Sequence, residues 1–142
     1  MKTFEEFIRN GTIKKQNPNK NRAMSIIMET EEKRAFLSLS LSTIPDDKMN
    51  SNFVVTYCYD ILMEILRAKM FLDGYNAGNS HQAEISYLSV LGFSEADIRF
   101  MDELRYYRKG TKYYGTRLEK DYAQKAMSFM NKNYPKIRNL IG

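Results

Sequence analysis

The chain has little of the residues from which common catalytic centres are built. Its 142 residues include one cysteine, Cys58, one histidine, His81, and no tryptophan. A single cysteine excludes an internal disulfide and suits a reducing compartment, so we expect a cytoplasmic protein. One histidine and one cysteine cannot supply the usual zinc ligand sets, and the sequence therefore predicts no metal site and no cofactor.

Long apolar runs and phosphate-binding glycine loops are also missing. No stretch approaches the ~18 apolar residues of a membrane-spanning helix, and Glu5 and Glu6 stand where a signal peptide would be apolar. We therefore expect neither membrane insertion nor export. The seven glycines form no Walker or dinucleotide-binding pattern, and no serine lies in a nucleophile elbow.

The scarcity of proline and the many long unbranched side chains favour helices over a sheet. Hydrophobic periodicity predicts a single domain over residues 1–142, an all-α, antiparallel up-and-down bundle of about five main helices. The predicted helices cover residues 1–10, 20–43, 51–73 and 81–91, a segment after Ser94, and one from Leu118 in which Pro135 either kinks the helix or begins a separate turn.

The segment 51–73 is the most hydrophobic helix, so we expect it at the centre of the bundle, with Cys58 as an inert buried thiol. Asp60, Glu64 and Arg67 interrupt its apolar band at positions i, i+4 and i+7. This pattern is typical of an exposed charged flank. The like charges of Asp60 and Glu64, however, form a pair that a purely structural helix would avoid.

What the sequence does have is a basic, tyrosine-rich stretch over residues 101–117. Residues 99–142 carry eleven cations and four anions, whereas residues 51–98 carry two cations and six anions. A basic surface of this kind is typical either of proteins that bind phosphate-bearing partners or of a solvated helical face. The side chains of interest are Arg105, Arg108, Lys112, Tyr113 and Tyr114.

These residue types suit phosphate and base binding better than bond cleavage. Arginine holds a phosphate through two parallel hydrogen bonds, and tyrosine can stack on a base. A tyrosine with an ordinary pKa near 10 is a poor general base at neutral pH. The alternative is a helix end whose tyrosines fill the mouth of the bundle, surrounded by solvated cations.

Four segments resemble the HEPN domains, small all-α bundles of prokaryotes, and the archaeal type in particular. The first is the lead-in Asn10-Gly-Thr-Ile-Lys-Lys with Asn21-Arg22-Ala23, and the second is the tyrosine-bearing helix from Phe53 to Lys69. The others are Gly78-Asn-Ser-His81 with Ile85-Ser-Tyr-Leu88, and Asp102-Glu-Leu-Arg105 through Tyr114-Gly115. Their common order and spacing carry the resemblance.

The resemblance implies a specific role for Arg108. Active family members carry Arg, four to six residues, then His, and cleave RNA without a metal. The Arg position falls on Arg108, and the His position falls on Tyr113, or on Tyr114 with a longer spacer. Asp60 or Glu64 matches the acidic residue that some members direct at the motif. The motif therefore lacks its acid–base group in this chain, and the sequence leaves catalysis by Arg108 and Tyr113 undecided.

The resemblance also implies partners. HEPN domains form homodimers, and many are encoded beside a minimal nucleotidyltransferase as a toxin–antitoxin pair. In some pairs the partner adenylylates a motif tyrosine, for which Tyr113 or Tyr114 would be the acceptor. His81 lies far from the motif in sequence, at a predicted helix start where a capping or surface role is the default.

The sequence therefore supports three hypotheses. The first is a HEPN-like homodimer that binds nucleotide or RNA at a basic Arg/Tyr cleft, including a diverged toxin-like RNase. The second is a catalytically inert subunit that docks a minimal nucleotidyltransferase. The third is a plain helical bundle in which the basic stretch is only structural.

Overall fold

The computed structural model describes residues 1–142 as an all-α bundle, 75% helical. Six α-helices were found where about five were expected, and a 3-10 turn lies between the second and third. The helices are α1 (Phe4–Arg9), α2 (Lys20–Thr43), α3 (Ser51–Asp73), α4 (His81–Val90), α5 (Glu95–Tyr113) and α6 (Lys120–Ile141), with the 3-10 turn at Asp46–Lys48. None of these helices has the length and apolar character needed to cross a membrane.

Helix α3 forms the centre of the molecule, as its hydrophobicity predicts. It packs against α2, α4, α5 and α6, and twelve of its 23 residues are buried. The side chain of Asn50 caps its first turn by accepting from Phe53 N at 2.8 Å. Gly74 ends it in the left-handed conformation, with φ of 85°. Cys58 lies in this core and is fully buried.

Neighbouring helices run in opposite directions where cross-helix contacts define them. Along α2 and α3, Arg22 meets Phe71 and Phe36 meets Tyr57, so the contacts run in reverse order along the two helices. Helices α5 and α6 show the same relation, because Phe100 packs on Phe129 and Tyr107 on Tyr122.

A two-stranded antiparallel ribbon was not predicted. Strand β1 (Lys14–Lys15) pairs with β2 (Tyr75–Asn76), at positions where the sequence indicated only polar loops. The adjacent Ile13 is buried and anchors the ribbon on the core. The ribbon therefore ties the segment before α2 to the connection between α3 and α4.

Of the two alternatives for Pro135, a separate turn is excluded, because helix α6 continues through this residue. Buried Tyr134 and Ile137 hold this part of the helix on the core. On α2, Phe36 is 55% exposed. Helix α5 contains Gly110 and continues to Tyr113.

Candidate functional site

A cleft opens where the middle of α3, the start of α4 and the last turns of α5 meet. Its volume is about 290 Å³. Helix α5 supplies most of the charge on its wall, and the segment that enters α4 supplies the other side. The lining residues are Tyr59, Asn79, Ser80, His81, Gln82, Arg105, Arg108, Lys109 and Tyr113.

Three cations line the cleft because they share one face of α5. Arg105, Arg108 and Lys109 are spaced at i, i+3 and i+4, which places them side by side on a helix. Arg105 Nε donates to Asp102 Oδ1 at 2.8 Å, and Arg108 Nε donates to Asp60 Oδ1 at 3.0 Å. Both carboxylates lie outside the lining set, so the wall of the cleft presents the cations.

Both guanidinium groups are therefore held at Nε alone. The terminal nitrogens of Arg105 and Arg108 make no hydrogen bond within the chain. A guanidinium fixed on one edge keeps its orientation and can still donate from its two terminal amino groups. Arg108 also lies over the ring of Tyr59, with Cζ 5.8 Å from the ring centroid.

His81 faces this cation cluster, although no sequence pattern indicated that it would. It is the first residue of α4, and Ser80 caps the helix by accepting from Ala83 N at 3.1 Å. Its Nδ1 lies 2.9 Å from the hydroxyl of Tyr59. The expectation of a simple capping or surface role for His81 was wrong. Ser80 caps the helix, and the imidazole of His81 is hydrogen-bonded to buried Tyr59.

The surroundings of this pair favour a neutral imidazole that accepts at Nδ1. Burial raises the pKa of Tyr59, and the nearby Glu84 carboxylate raises it further, so the phenol keeps its proton. The Tyr59 hydroxyl has no other acceptor within the chain, and we infer that it donates to Nδ1 of His81. Desolvation lowers the pKa of His81; Glu84 opposes this shift, and Arg67 and Arg108 add to it. With Tyr59 as the donor, the remaining ring proton of His81 is on Nε2.

The two motif tyrosines differ in position. Tyr113 lines the cleft and is 63% exposed, and its ring lies 5.4 Å from Lys112 Nζ. Tyr114 is 73% exposed and lies outside the cleft, as does Lys112. Neither tyrosine fills the mouth of the bundle. Lys109, which was not among the predicted binding residues, occupies the place expected for Lys112.

The chain that follows Tyr113 is fixed by two close contacts. A Cβ placed on Gly110 would lie 2.8 Å from Thr116 Oγ1, so the return segment packs directly against the glycine. Asn52 at the start of α3 donates to Thr116 O and accepts from Leu118 N, both at 2.8 Å. Gly110 thus permits a tight turn that positions Tyr113, a role beyond the weak helix propensity seen in the sequence.

The charged residues of α3 are not an exposed flank, and that expectation was wrong. Each is partly buried and pairs with a different helix. Asp60 accepts from Arg108 on α5, Glu64 pairs with Lys33 on α2, and Arg67 pairs with Glu84 on α4. Asp60 therefore reaches the cleft cluster, and Glu64 does not. The like-charge pair is tolerated because each carboxylate has its own cationic partner.

Sequence reasoning identified part of this site. It placed Arg105, Arg108 and Tyr113 together, and it missed Lys109, His81 and Tyr59. Lys109 was detectable, since it follows Arg105 by one helical turn. His81 and Tyr59 were not, because they come from separate helices that only the tertiary fold brings together.

Comparison with protein-family models, with curated proteins and with solved structures finds no match to this chain.

Proposed function

We propose that the protein binds nucleotides or single-stranded RNA through the cleft between α3, α4 and α5. In this proposal Arg105, Arg108 and Lys109 hold a phosphate, and Tyr113 stacks on the adjoining base. One observation carries the proposal: two arginines in the same cleft are fixed at Nε and have free terminal nitrogens. This is the arrangement that donates two parallel hydrogen bonds to a phosphate.

Two further features support an anionic ligand. The N-terminal end of α4, a ten-residue helix, lines the cleft through Ser80, His81 and Gln82, and the partial positive charge of a helix N-terminus favours anions. Arg67 and Arg108 both lie close enough to His81 to lower its pKa, so the charge around the start of α4 is cationic as well.

The state of His81 favours binding over cleavage. With Tyr59 donating to Nδ1, the neutral imidazole carries its proton on Nε2, where it donates a hydrogen bond to a phosphate oxygen. A general base for the ribose 2′-OH needs a free lone pair on that nitrogen. RNA cleavage with His81 as the general base would therefore require the opposite tautomer, with the Tyr59 hydroxyl no longer donating to the ring.

The resemblance to HEPN domains points in the same direction. It implies an arginine that holds a phosphate and an acidic residue directed at it, and here Asp60 accepts from Arg108. RNA as the ligand fits the cytoplasmic location that a single cysteine predicts. If the protein also cleaves the RNA that it binds, it is a diverged toxin-like RNase, and the experiment below tests for cleavage as well as for binding.

The experiment compares an Arg108→Ala variant with an Arg138→Ala variant. Arg138 is a matched control, since its Nε also donates to a carboxylate, Glu31 at 3.1 Å, and it lies outside the cleft. Binding of a fluorescent single-stranded RNA is followed by anisotropy over a range of salt concentrations. We expect Arg108→Ala to weaken binding by roughly 10- to 100-fold and to reduce the salt slope by about 0.7 for each phosphate that is no longer neutralised.

Each outcome assigns a different function. Weaker binding by Arg108→Ala, with binding by Arg138→Ala unchanged, supports the proposal. RNA cleavage by the wild type that both Arg108→Ala and His81→Asn abolish would make the protein an RNase. No binding at low ionic strength would reject the proposal and favour the inert subunit, for which co-purification with a minimal nucleotidyltransferase encoded by the neighbouring gene is the direct test.

A homodimer is part of the proposal, on the basis of the resemblance. Exposed Phe36 and Phe53 both pack on half-buried Tyr57. On α3, Phe53 and Tyr57 lie on the same face as Asp60, which pairs with Arg108 of the cleft. A second copy seated there would bring two clefts together. Sedimentation of the wild type and of Phe53→Ser tests this: a dimer that dissociates in the variant supports it, and a wild-type monomer contradicts it.

A further inference from the structure

A second cleft adjoins the first on the other side of His81. Its volume is about 280 Å³, and the two clefts share Asn79 and His81, which form the wall between them. Each volume lies near the lower end of the ~300–1,000 Å³ typical of small-molecule sites, so each suits about one nucleotide. Together they form a continuous surface along the start of α4.

The second cleft has the chemistry of a nucleotide subsite. The guanidinium of Arg22 lies 4.5 Å over the ring of Phe71 and forms no ion pair, so its charge is free. The Tyr75 hydroxyl and the Asn79 amide line the cleft and make no hydrogen bond within the chain. An amide has both donors and acceptors for a base edge, and the Tyr75 hydroxyl can add a further hydrogen bond.

Positive charge continues beyond the second cleft on the β-ribbon. Lys14 and Lys15 are exposed, and they pair across the ribbon with Asn76 and Tyr75, which line the second cleft. Cations therefore line or border three adjacent sites: the first cleft, the second cleft with Arg22, and β1. A single phosphate group would occupy only one of these sites, whereas a polyanion could contact several of them.

We infer that the ligand is a single-stranded oligonucleotide of at least two nucleotides, which runs from the first cleft across Asn79 and His81 into the second cleft toward β1. This inference rests on the proposed function, because it extends the phosphate site at Arg105 and Arg108. In this arrangement the phosphodiester between the two nucleotides passes the shared wall, and the second nucleotide lies beside Arg22 and Tyr75. The paired Arg67 and Glu84 form the floor of the second cleft.

The test measures affinity against ligand length in wild type, Arg22→Gln and Arg34→Gln. Arg34 is a matched control: it is also on α2 and also stacks on an aromatic ring, Tyr134 at 4.4 Å, but it lies outside both clefts. The probes are uridine monophosphate and oligouridylates of two, four and six nucleotides. Circular dichroism and the midpoint of thermal unfolding establish that each variant is folded.

We expect affinity to rise at least about tenfold from the mononucleotide to the tetranucleotide. Arg22→Gln should weaken binding of the tetranucleotide by about tenfold, lower its salt slope by about 0.7, and leave binding of the mononucleotide unchanged. Arg34→Gln should match the wild type with every probe.

Three results would overturn the inference, and they differ in what they say about the first cleft. Affinity independent of length, with mononucleotide binding abolished in Arg108→Ala, would leave the proposed function intact and reject the second subsite. Equal weakening of mononucleotide and tetranucleotide binding by Arg22→Gln would mean that one nucleotide spans both clefts. Failure of every probe to bind would reject the proposed function together with this inference.

Discussion

Tyr59 and His81, which lie on α3 and α4, are joined by a hydrogen bond of 2.9 Å between the phenol hydroxyl and Nδ1. The tyrosine is fully buried, and the histidine lines both clefts. This bond orients the only histidine in the chain, and with Tyr59 as the donor it places the ring proton on Nε2. The core of the bundle therefore determines which ring nitrogen is available to a ligand.

Replacing Tyr59 with Phe should remove the hydrogen bond that favours one tautomer of His81. We expect the Nε2–H tautomer to dominate in the wild type and a mixture of tautomers in Tyr59→Phe, with a stability loss of about 1 kcal/mol because the hydrogen bond is removed. Nitrogen-15 NMR reads the tautomer directly, and one histidine in the chain makes the assignment unambiguous. An unchanged spectrum in the variant would show that Tyr59 does not set the tautomer.

The stability of the protein should depend on His81 at mildly acidic pH. The folded-state pKa of His81 is lowered from its ordinary value of 6.5, so the unfolded chain binds a proton more readily than the folded one. The stabilisation is present above the unfolded-state pKa and is lost as the pH falls below it. Urea unfolding between pH 7.5 and 5 should show this loss in the wild type and a flatter profile in His81→Gln. Identical profiles would contradict the assignment.

The ion pair between Arg67 and Glu84 should be costly to break. Glu84 has only 3% of its side chain exposed and accepts from both Nε and Nη2 of Arg67, the latter at 2.9 Å. Arg67→Met would leave that carboxylate buried without its partner, and we expect a loss of roughly 3 kcal/mol in urea unfolding. Lys120→Met removes an exposed pair with Asp46 at 3.8 Å and should leave stability unchanged. Equal losses of stability in Arg67→Met and Lys120→Met would show that the burial of Glu84 does not determine the cost of breaking its ion pair.

Alanine at Gly110 should fail to stabilise the protein. Helix propensity alone favours Ala over Gly by about 0.8–1.0 kcal/mol, but the new Cβ would lie 2.8 Å from Thr116 Oγ1. We expect Gly110→Ala to displace the return segment, which moves Tyr113 and weakens the RNA binding that we propose for the cleft. The double variant Gly110→Ala/Thr116→Ala should be more stable than Gly110→Ala alone. A gain of the full propensity difference in the single variant would refute the close approach of Thr116.

The helices were predictable because residues close in sequence, such as side-chain caps and glycines, determine where each helix begins and ends. Asn50 and Ser94 cap helices through their own side chains, and Gly74 ends α3 at a left-handed residue. At Pro135 the sequence left two alternatives open, and the helix continues there because long-range packing of α6 on α3 outweighs the local cost of proline.

The candidate site was predictable only where it lies on one helix. Arg105 and Arg108 share a face of α5 by spacing alone. The hydrogen bond from Tyr59 to His81 and the ion pair between Asp60 and Arg108 join residues that are 22 and 48 positions apart. Such pairings depend on how helices pack against one another, which periodicity does not specify.

The reaction of Cys58 with a thiol reagent can measure how often the centre of the bundle opens. The thiol is fully buried on α3, and burial raises its pKa to about 12, so neither access nor thiolate is available at neutral pH. A thiol reagent can therefore react only with molecules in which α3 has separated from its neighbours. With one cysteine in the chain, the rate of labelling measures how often the core opens around Cys58, and any ligand that binds only the closed bundle should slow that rate in proportion to its affinity.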